Sequence, residues 1–172
     1  AEFARTAFAV YIIAISVSVF PSPAHAANEQ TVKLIIGEDW VNARGAVIQS
    51  GNPVLYKLYE WALYREDLVN LPYDRITNFI TQNPTWPDQS RLLATAERNM
   101  PYDLPAPNII SWFTAHPPVT GTGIEHLFKA GVATGINVAD IINTAWPKAS
   151  MDNSTQADIF QQYGQTISMR AM

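Results

Sequence analysis

The chain has 172 residues, 48% of them hydrophobic, and a net charge of −4 at pH 7, values ordinary for a single domain that buries a core. Its 11 Lys and Arg residues are scattered among 15 acids, so the sequence shows no basic footprint for nucleic acid. The absence of cysteine excludes disulfides, cysteine-based zinc sites and thiol catalysis.

The N-terminal segment, 1–26, is predicted to be a cleaved secretory signal peptide. The uncharged apolar run AFAVYIIAISVSVF is followed by Ala24-His25-Ala26, which fits the small-x-small pattern read by signal peptidase. The run is shorter than the roughly 20 apolar residues that cross a bilayer. We therefore expect cleavage after Ala26 and no stable membrane insertion afterwards. An uncleaved single-pass anchor is the alternative.

The remaining chain is predicted to comprise an extended N-terminal arm, 27–37, a helical domain, 38–164, and a tail, 165–172. The run TVKLII within the arm is the one strand-like stretch of the sequence. The helical domain has almost no period-two alternation, so no sheet is expected there.

Helix signals recur throughout the helical domain. Asn52 is a capping residue before Pro53, which suits the first helical position, and Thr120 opens a helix that Gly135 closes. Between such signals, apolar residues repeat at helical spacing. Eight helices are predicted, over 38–50, 53–65, 73–82, 87–99, 106–115, 121–134, 138–146 and 154–163.

The spacing of these helices predicts a repeat architecture. Connections of two to eight residues favour antiparallel packing of successive helices. The helix pairs begin at intervals of 32 to 35 residues, the period of two-helix repeats such as tetratricopeptide arrays. The predicted fold is therefore all-α, a right-handed superhelix of antiparallel helix pairs, with a compact bundle as the alternative.

The stretch NPTWPDQSRLLATAERNMP places one helix between prolines. Pro84 and Pro87 push the preceding residues out of the α region, which forbids an upstream continuation. Pro87 is expected at the first helical position, with Trp86 packed over the start of the helix. For Glu97, in the last turn, we expect an ion pair or a hydrogen bond to a neighbouring loop. No second carboxylate or histidine accompanies it at helical spacing, which argues against catalysis.

Other motifs for catalysis, cofactors or metals are weak, and none is assigned. His25 is removed with the signal peptide, and His116 and His126 have no carboxylate at ligand spacing. Gly121 and Gly123 lie at a helix start and are better explained by tight loop geometry than by phosphate binding.

Aromatic side chains are the remaining candidates for a binding surface. The five tryptophans are spaced 21 to 34 residues apart, which is typical of filler between helical repeats. Alternatively, some aromatic side chains line a concave face and stack on sugar rings. The candidates for glycan or partner contacts are Trp61, Tyr64, Trp86, Tyr102 and Trp112.

Four strings resemble, in order and spacing, the N-terminal helical domain of soluble lytic murein transglycosylases. They are FITQNPTWPDQSRLLATAERN, IISWFTAHPPVTGTGIEHLFKAGVATG, IINTAW and DIFQQYG, and the similarity runs from about Trp40 to Gly164. The resemblance implies a superhelical, U-shaped or ring-forming array, a periplasmic location and work on peptidoglycan.

The resemblance also implies that this chain has no active site of its own. The family cleaves the β-1,4 bond between N-acetylmuramic acid and N-acetylglucosamine with one glutamate of a separate lysozyme-like domain. The Glu-Ser, Gly-Leu-Met-Gln and Ala-Tyr-Asn-Ala-Gly segments of that domain do not occur here. The expected role is therefore to bind or orient glycan strands for a catalytic domain. The alternatives are a freestanding module that binds a periplasmic cell-wall enzyme, and an inactive truncated remnant.

Overall fold

The structure, a computed structural model, describes residues 23–66 and 68–164. Within these residues the chain is all-α, as predicted, with nine helices and no strand. The helices are α1 (Pro23–Ile36), α2 (Trp40–Ser50), α3 (Pro53–Tyr64), α4 (Tyr73–Gln82), α5 (Gln89–Arg98), α6 (Ala106–Ala115), α7 (Gly121–Thr134), α8 (Ala139–Ala145) and α9 (Asn153–Tyr163). None of the helices described is long and apolar enough to cross a membrane.

The first helix corrects the prediction of an extended arm over 27–37. α1 contains an ion pair between Glu29 and Lys33, one turn apart, at 2.8 Å. Thr31 and Ile35 are also one turn apart, and both are buried. Because α1 packs on α2 and α3, tertiary contacts override the β-propensity of this run. The predicted cleavage point lies in the first turn of α1, while residues 1–22 and the predicted tail lie outside the described residues.

The other eight helices match the predicted bounds to within two residues. Asn52 caps α3 by accepting a hydrogen bond from the backbone N–H of Val54 at 2.9 Å. Gly135 ends α7 in the left-handed conformation, with φ 72°. Local capping signals therefore account for where the helices begin and end.

The core consists of three apolar clusters that follow one another along the chain. The first joins α1, α2 and α3, the second joins α3, α4 and α5, and the third joins α6 to α9. Their most deeply buried members include Ala43 and Val47 in the first, Ile76, Leu92 and Ala96 in the second, and Phe113, Ile124, Leu127 and Ile142 in the third. Successive local clusters are typical of stacked helical repeats.

Helix packing follows the chain order. The main contacts join helices that are adjacent or next but one in the sequence, and α3, α5, α7 and α9 pack in a row. The predicted pairs α2–α3, α4–α5 and α6–α7 pack side by side, whereas α8 and α9 both pack on α7. This order is the one expected for stacked helix pairs. The right-handed superhelical course remains a prediction.

Candidate functional site

Glu97, in the last turn of α5, is the most deeply buried ionisable side chain of the described residues, with 1% of its surface exposed. Its Oε1 accepts a hydrogen bond from the backbone N–H of Val119 at 2.7 Å. Its Oε2 accepts from the backbone N–H of Thr120 at 2.8 Å and also from the Thr120 hydroxyl. Glu97 therefore joins α5 to the loop before α7, which confirms the predicted hydrogen bond to a neighbouring loop.

The first turn of α7 is shaped to receive this carboxylate. Thr120 caps α7 by accepting a hydrogen bond from the N–H of Gly123 at 3.1 Å. A Cβ on Gly123 would lie 2.4 Å from Oε2 of Glu97, so a larger residue does not fit there. A Cβ on Gly121 would lie 2.7 Å from the Thr155 side chain of α9. Close packing against the Glu97 and Thr155 side chains accounts for both glycines, whereas the sequence had suggested tight loop geometry.

The electrostatics of Glu97 are set by burial. Burial raises its pKa from 4.5 to about 7, and the hydrogen bonds from Thr120 and Val119 only partly oppose this shift. A carboxyl group with a pKa near neutrality is able to act in proton transfer, but only where a substrate reaches it. Both oxygens of Glu97 are engaged inside the protein, so its geometry is that of a structural link.

The opposite end of α5 is held by aromatic contacts. Nε1 of Trp61, on α3, donates a hydrogen bond to the carbonyl oxygen of Pro87 at 3.0 Å. The Trp61 and Trp86 rings meet edge to face at 5.9 Å, and Trp86 meets Phe79 in the same way at 5.5 Å. Trp86 therefore links α5 to both α3 and α4.

Pro87 does not occupy the predicted first helical position. α5 begins at Gln89, and Asp88 before it adopts a left-handed conformation with φ 62°. Because a left-handed residue cannot continue a right-handed helix upstream, Pro87 lies outside α5. Its carbonyl oxygen is then free to accept the hydrogen bond from Trp61.

The hollow beside these tryptophans, which we call the indole hollow, has a volume of about 380 Å³. It is lined by Leu58, Trp61, Thr85, Trp86 and Pro87. Apart from the Thr85 hydroxyl and the indole nitrogens, the side chains that line it are apolar.

A second surface depression, which we call the α4–α6 groove, has a volume of about 390 Å³. Trp112 meets Tyr73 edge to face at 6.3 Å and stacks on His116 at 4.1 Å. Burial raises the pKa of Tyr73 to about 12. The full lining is Tyr73, Asp74, Thr81, Leu104, Asn108, Ser111, Trp112, Ala115 and His116. The groove thus combines aromatic faces with hydroxyl, amide and carboxylate groups.

The five aromatic candidates from the sequence do not form one surface. Trp61 and Trp86 share the indole hollow, and Trp112 lies in the α4–α6 groove. Tyr102 is 93% exposed on the loop before α6, with its ring 5.6 Å from His126. Tyr64 is buried, which corrects its assignment as a ligand contact.

Tyr64 is turned inward because its ring packs against Phe79 at 5.8 Å. Its hydroxyl donates a hydrogen bond to Glu60 at 3.2 Å, and burial raises its pKa. Sequence reasoning missed Asp74 and His116 as members of the groove. The i, i+4 spacing of Trp112 and His116 on a helix was the available signal for His116.

No family model matches the chain, and no curated protein or solved structure is significantly similar to it. Among the described residues, no three His, Asp or Glu side chains come together as they would around a metal ion. The α4–α6 groove and the indole hollow are two depressions of the described residues that tryptophan side chains line. Of the two, the groove has the larger set of hydrogen-bonding side chains.

Proposed function

We propose that this chain is a non-catalytic periplasmic domain that binds peptidoglycan glycan strands and orients them for a lysozyme-like catalytic domain. The resemblance of its sequence strings to the helical domain of lytic transglycosylases suggests the ligand. The observation that carries the proposal is the α4–α6 groove, in which aromatic and polar side chains converge on one accessible depression.

The groove suits a sugar because it offers two kinds of contact. Pyranose rings present C–H faces, which pack on aromatic and aliphatic side chains such as His116, Ala115 and the edge of Trp112. Their hydroxyl and acetamido groups require hydrogen bonds, which Asp74 and Asn108 are placed to exchange. A few directed polar groups on an apolar floor are the usual composition of a small-molecule site.

The buried state of Glu97 supports a non-catalytic role. Cleavage of a glycosidic bond needs a carboxyl group within hydrogen-bond reach of the bridging oxygen. Both oxygens of Glu97 accept hydrogen bonds from the loop before α7, and the side chain is 1% exposed. Among the described residues, the carboxyl group whose pKa lies near neutrality is thus occupied in joining α5 to the loop before α7.

The proposal is tested by cosedimentation of the purified chain with insoluble murein sacculi. Asn108→Arg places a long side chain in the groove from an exposed position on α6, and Thr114→Arg is the matched control on the same helix. We expect binding to wild type and to the control, and at least about fivefold weaker binding to Asn108→Arg, since one blocked contact is worth at least about 1 kcal/mol. No anhydromuropeptide release is expected from any of the three.

Three results would contradict the proposal. Equal cosedimentation of Asn108→Arg and Thr114→Arg would mean that the glycan contact lies outside the α4–α6 groove. Absence of binding by wild type would mean that the chain does not bind glycan strands. Far-UV circular dichroism establishes that each variant keeps the helical fold. Release of anhydromuropeptides would overturn the non-catalytic role.

A further inference from the structure

A polar depression between α3 and α4, which we call the α3–α4 pocket, combines charges of both signs. Its volume is about 150 Å³. Lys57 and Glu60 line it from α3, and Arg75 lines it from α4. The remaining lining residues are Asn78, Phe79, Gln82 and Asn83. The pocket therefore offers contacts to an anion and to a cation in the same place.

Two of the charged groups are positioned by tyrosines. Nη2 of Arg75 donates a hydrogen bond to the Tyr56 hydroxyl at 2.7 Å, and the guanidinium carbon lies 5.9 Å from the centroid of that ring. The Tyr64 hydroxyl donates a hydrogen bond to Oε1 of Glu60 at 3.2 Å. Both groups can make further hydrogen bonds, since a guanidinium has several N–H donors and a carboxylate has two oxygens. A group that is already positioned loses less entropy when a ligand binds.

The charges of the pocket are not neutralised by ion pairs. In the part of the chain that the structure describes, Lys57, Glu60 and Arg75 form no ion pair. Nζ of Lys57 lies 5.9 Å from the ring centroid of Trp86, a cation–π contact that uses none of its N–H donors. Burial raises the pKa of Glu60, although the hydrogen bond from Tyr64 and the charge of Arg75 oppose the shift. A carboxylate that has lost water without gaining a cation in contact is stabilised by an added ammonium group.

The size of the pocket limits the ligand. A water molecule takes about 30 Å³ in the liquid, so the pocket has room for roughly five waters, or for a molecule the size of glycine or alanine. In so small a space, two charged groups of one ligand must lie close together. Phe79 and Asn83 are the most deeply buried lining residues, and the Asn83 amide donates a hydrogen bond to the Phe79 carbonyl oxygen at 2.8 Å. Phe79 gives the pocket one apolar contact.

A ligand with a single charge would match only part of this pocket. A simple carboxylate would be attracted by Lys57 and Arg75 but repelled by Glu60, and a simple amine would meet the reverse. We propose that the α3–α4 pocket binds a small zwitterionic α-amino acid, with its carboxylate at Lys57 and Arg75 and its ammonium group at Glu60. This site lies outside the α4–α6 groove and goes beyond the proposed function.

The experiment is titration of the isotope-labelled full chain with both enantiomers of alanine, followed by the chemical shifts of the backbone amides in α3 and α4. Alaninamide, which lacks the carboxylate, and N-acetylalanine, which lacks the ammonium group, are the matched ligands. Glu60→Gln removes the negative charge but keeps an acceptor for Tyr64, and Lys57→Gln removes one positive charge. Glu125→Gln and Lys129→Gln are the matched control variants on α7.

We expect millimolar affinity for at least one enantiomer of alanine, and at least about fivefold weaker binding of its two derivatives. Glu60→Gln should bind alanine at least about fivefold more weakly but N-acetylalanine no more weakly, because the lost charge attracts only the ammonium group. Lys57→Gln should weaken alanine binding by a similar factor and should not weaken that of alaninamide. Both control variants should bind as wild type does.

Three results would overturn the inference. The first is the absence of alanine-dependent shifts in α3 and α4, and the second is equal affinity of wild type for alanine and its derivatives. The third comes from Asn108→Arg, which should bind alanine as wild type does even where it loses sacculus binding. Loss of alanine binding in Asn108→Arg would assign the amino acid to the α4–α6 groove. Circular dichroism establishes that Glu60→Gln and Lys57→Gln keep the helical fold.

Discussion

The two ends of α5 are fixed by opposite kinds of chemistry. At its N-terminal end, the rings of Trp61 and Trp86 hold the helix through half-buried contacts beside an open hollow. At its C-terminal end, the Glu97 carboxylate is sealed against the start of α7. The two ends therefore differ in role. The end at Glu97, which we call the sealed end, fixes the position of a helix, and the end at Trp61 and Trp86, which we call the open end, leaves surface for a ligand.

The difference also explains why this helix lies between prolines. The turn before α5 must place Trp86 between α3 and α4, and the last turn must deliver Glu97 to the Val119–Thr120 backbone. A rigid helix of 10 residues with fixed ends keeps these two contacts at a constant separation.

The largest expected effect is that of removing the carboxylate at the sealed end. Glu97→Ala leaves one buried and one partly buried backbone N–H group and a buried hydroxyl without their partner, and it opens a cavity, so we expect a loss of about 4 kcal/mol in the free energy of unfolding. Urea denaturation followed by circular dichroism measures it. Arg91→Ala, at an exposed position of α5, should cost below about 0.5 kcal/mol. Similar losses of unfolding free energy in Glu97→Ala and Arg91→Ala would mean that the Glu97 end of α5 is not held by its buried carboxylate.

The pH dependence of stability tests the same end without removing the side chain. Because burial raises the pKa of Glu97 from 4.5 to about 7, the folded chain holds the proton more tightly than the unfolded chain does. This contribution of about 3 kcal/mol is complete below about pH 4.5 and is lost as the pH rises through about 7. The stability of wild type minus that of Glu97→Gln should therefore fall across this window.

The stability of wild type must be compared with that of Glu97→Gln at each pH, because His126 also makes stability depend on pH. Burial lowers the pKa of His126, so its own contribution is present at higher pH and is lost as the pH falls. The effect is common to wild type and Glu97→Gln and cancels when the two curves are subtracted. A difference curve that is flat between about pH 4 and pH 8 would contradict the assigned role of burial at Glu97.

Close packing at the sealed end is probed by Gly123→Ala. The added Cβ would lie 2.4 Å from Oε2 of Glu97, so we expect a loss of about 2 kcal/mol, typical of overpacking. Gly45→Ala on α2 is the matched control, since a Cβ there meets nothing within 4 Å. That control should gain about 0.5 to 1 kcal/mol from the better helix propensity of alanine. Thermal unfolding of the two variants should shift in opposite directions.

The smallest effect is expected at the open end. Trp61→Phe removes the hydrogen bond to the Pro87 carbonyl oxygen but keeps an aromatic ring, so it should cost about 1 kcal/mol. Chemical denaturation measures this loss. A cost equal to that of Glu97→Ala would mean that the two ends of α5 are equally sealed.

Helix positions could be predicted from local signals, because caps and breakers act within a few residues. Asn52, Thr120 and Gly135 delimit α3 and α7 as expected. α1 escaped prediction because the run TVKLII has β-branched residues, while its helical form depends on packing against α2 and α3.

The candidate sites were less predictable, because side-chain direction depends on contacts between distant residues. Tyr64 and Trp61 lie three residues apart on α3, yet Tyr64 packs inside against Phe79 while Trp61 lines the hollow. The role of Glu97 required the knowledge that α5 meets the start of α7, 22 residues further along. The glycines of the GTG string suggested tight loop geometry, and the sequence did not show that they pack against Glu97 and Thr155.

The loop that receives Glu97 also meets the connection between α8 and α9. Thr120 and Ser150 form an isolated β-bridge, in which Ser150 N–H donates to Val119 O at 2.8 Å and Gly121 N–H donates to Ser150 O at 3.2 Å. The end of α5, the loop before α7 and the connection between α8 and α9 are thus joined by hydrogen bonds to neighbouring backbone amides. In deuterated water these loop amides should exchange as slowly as those inside helices, so the C-terminal third of the array should open as one cooperative unit.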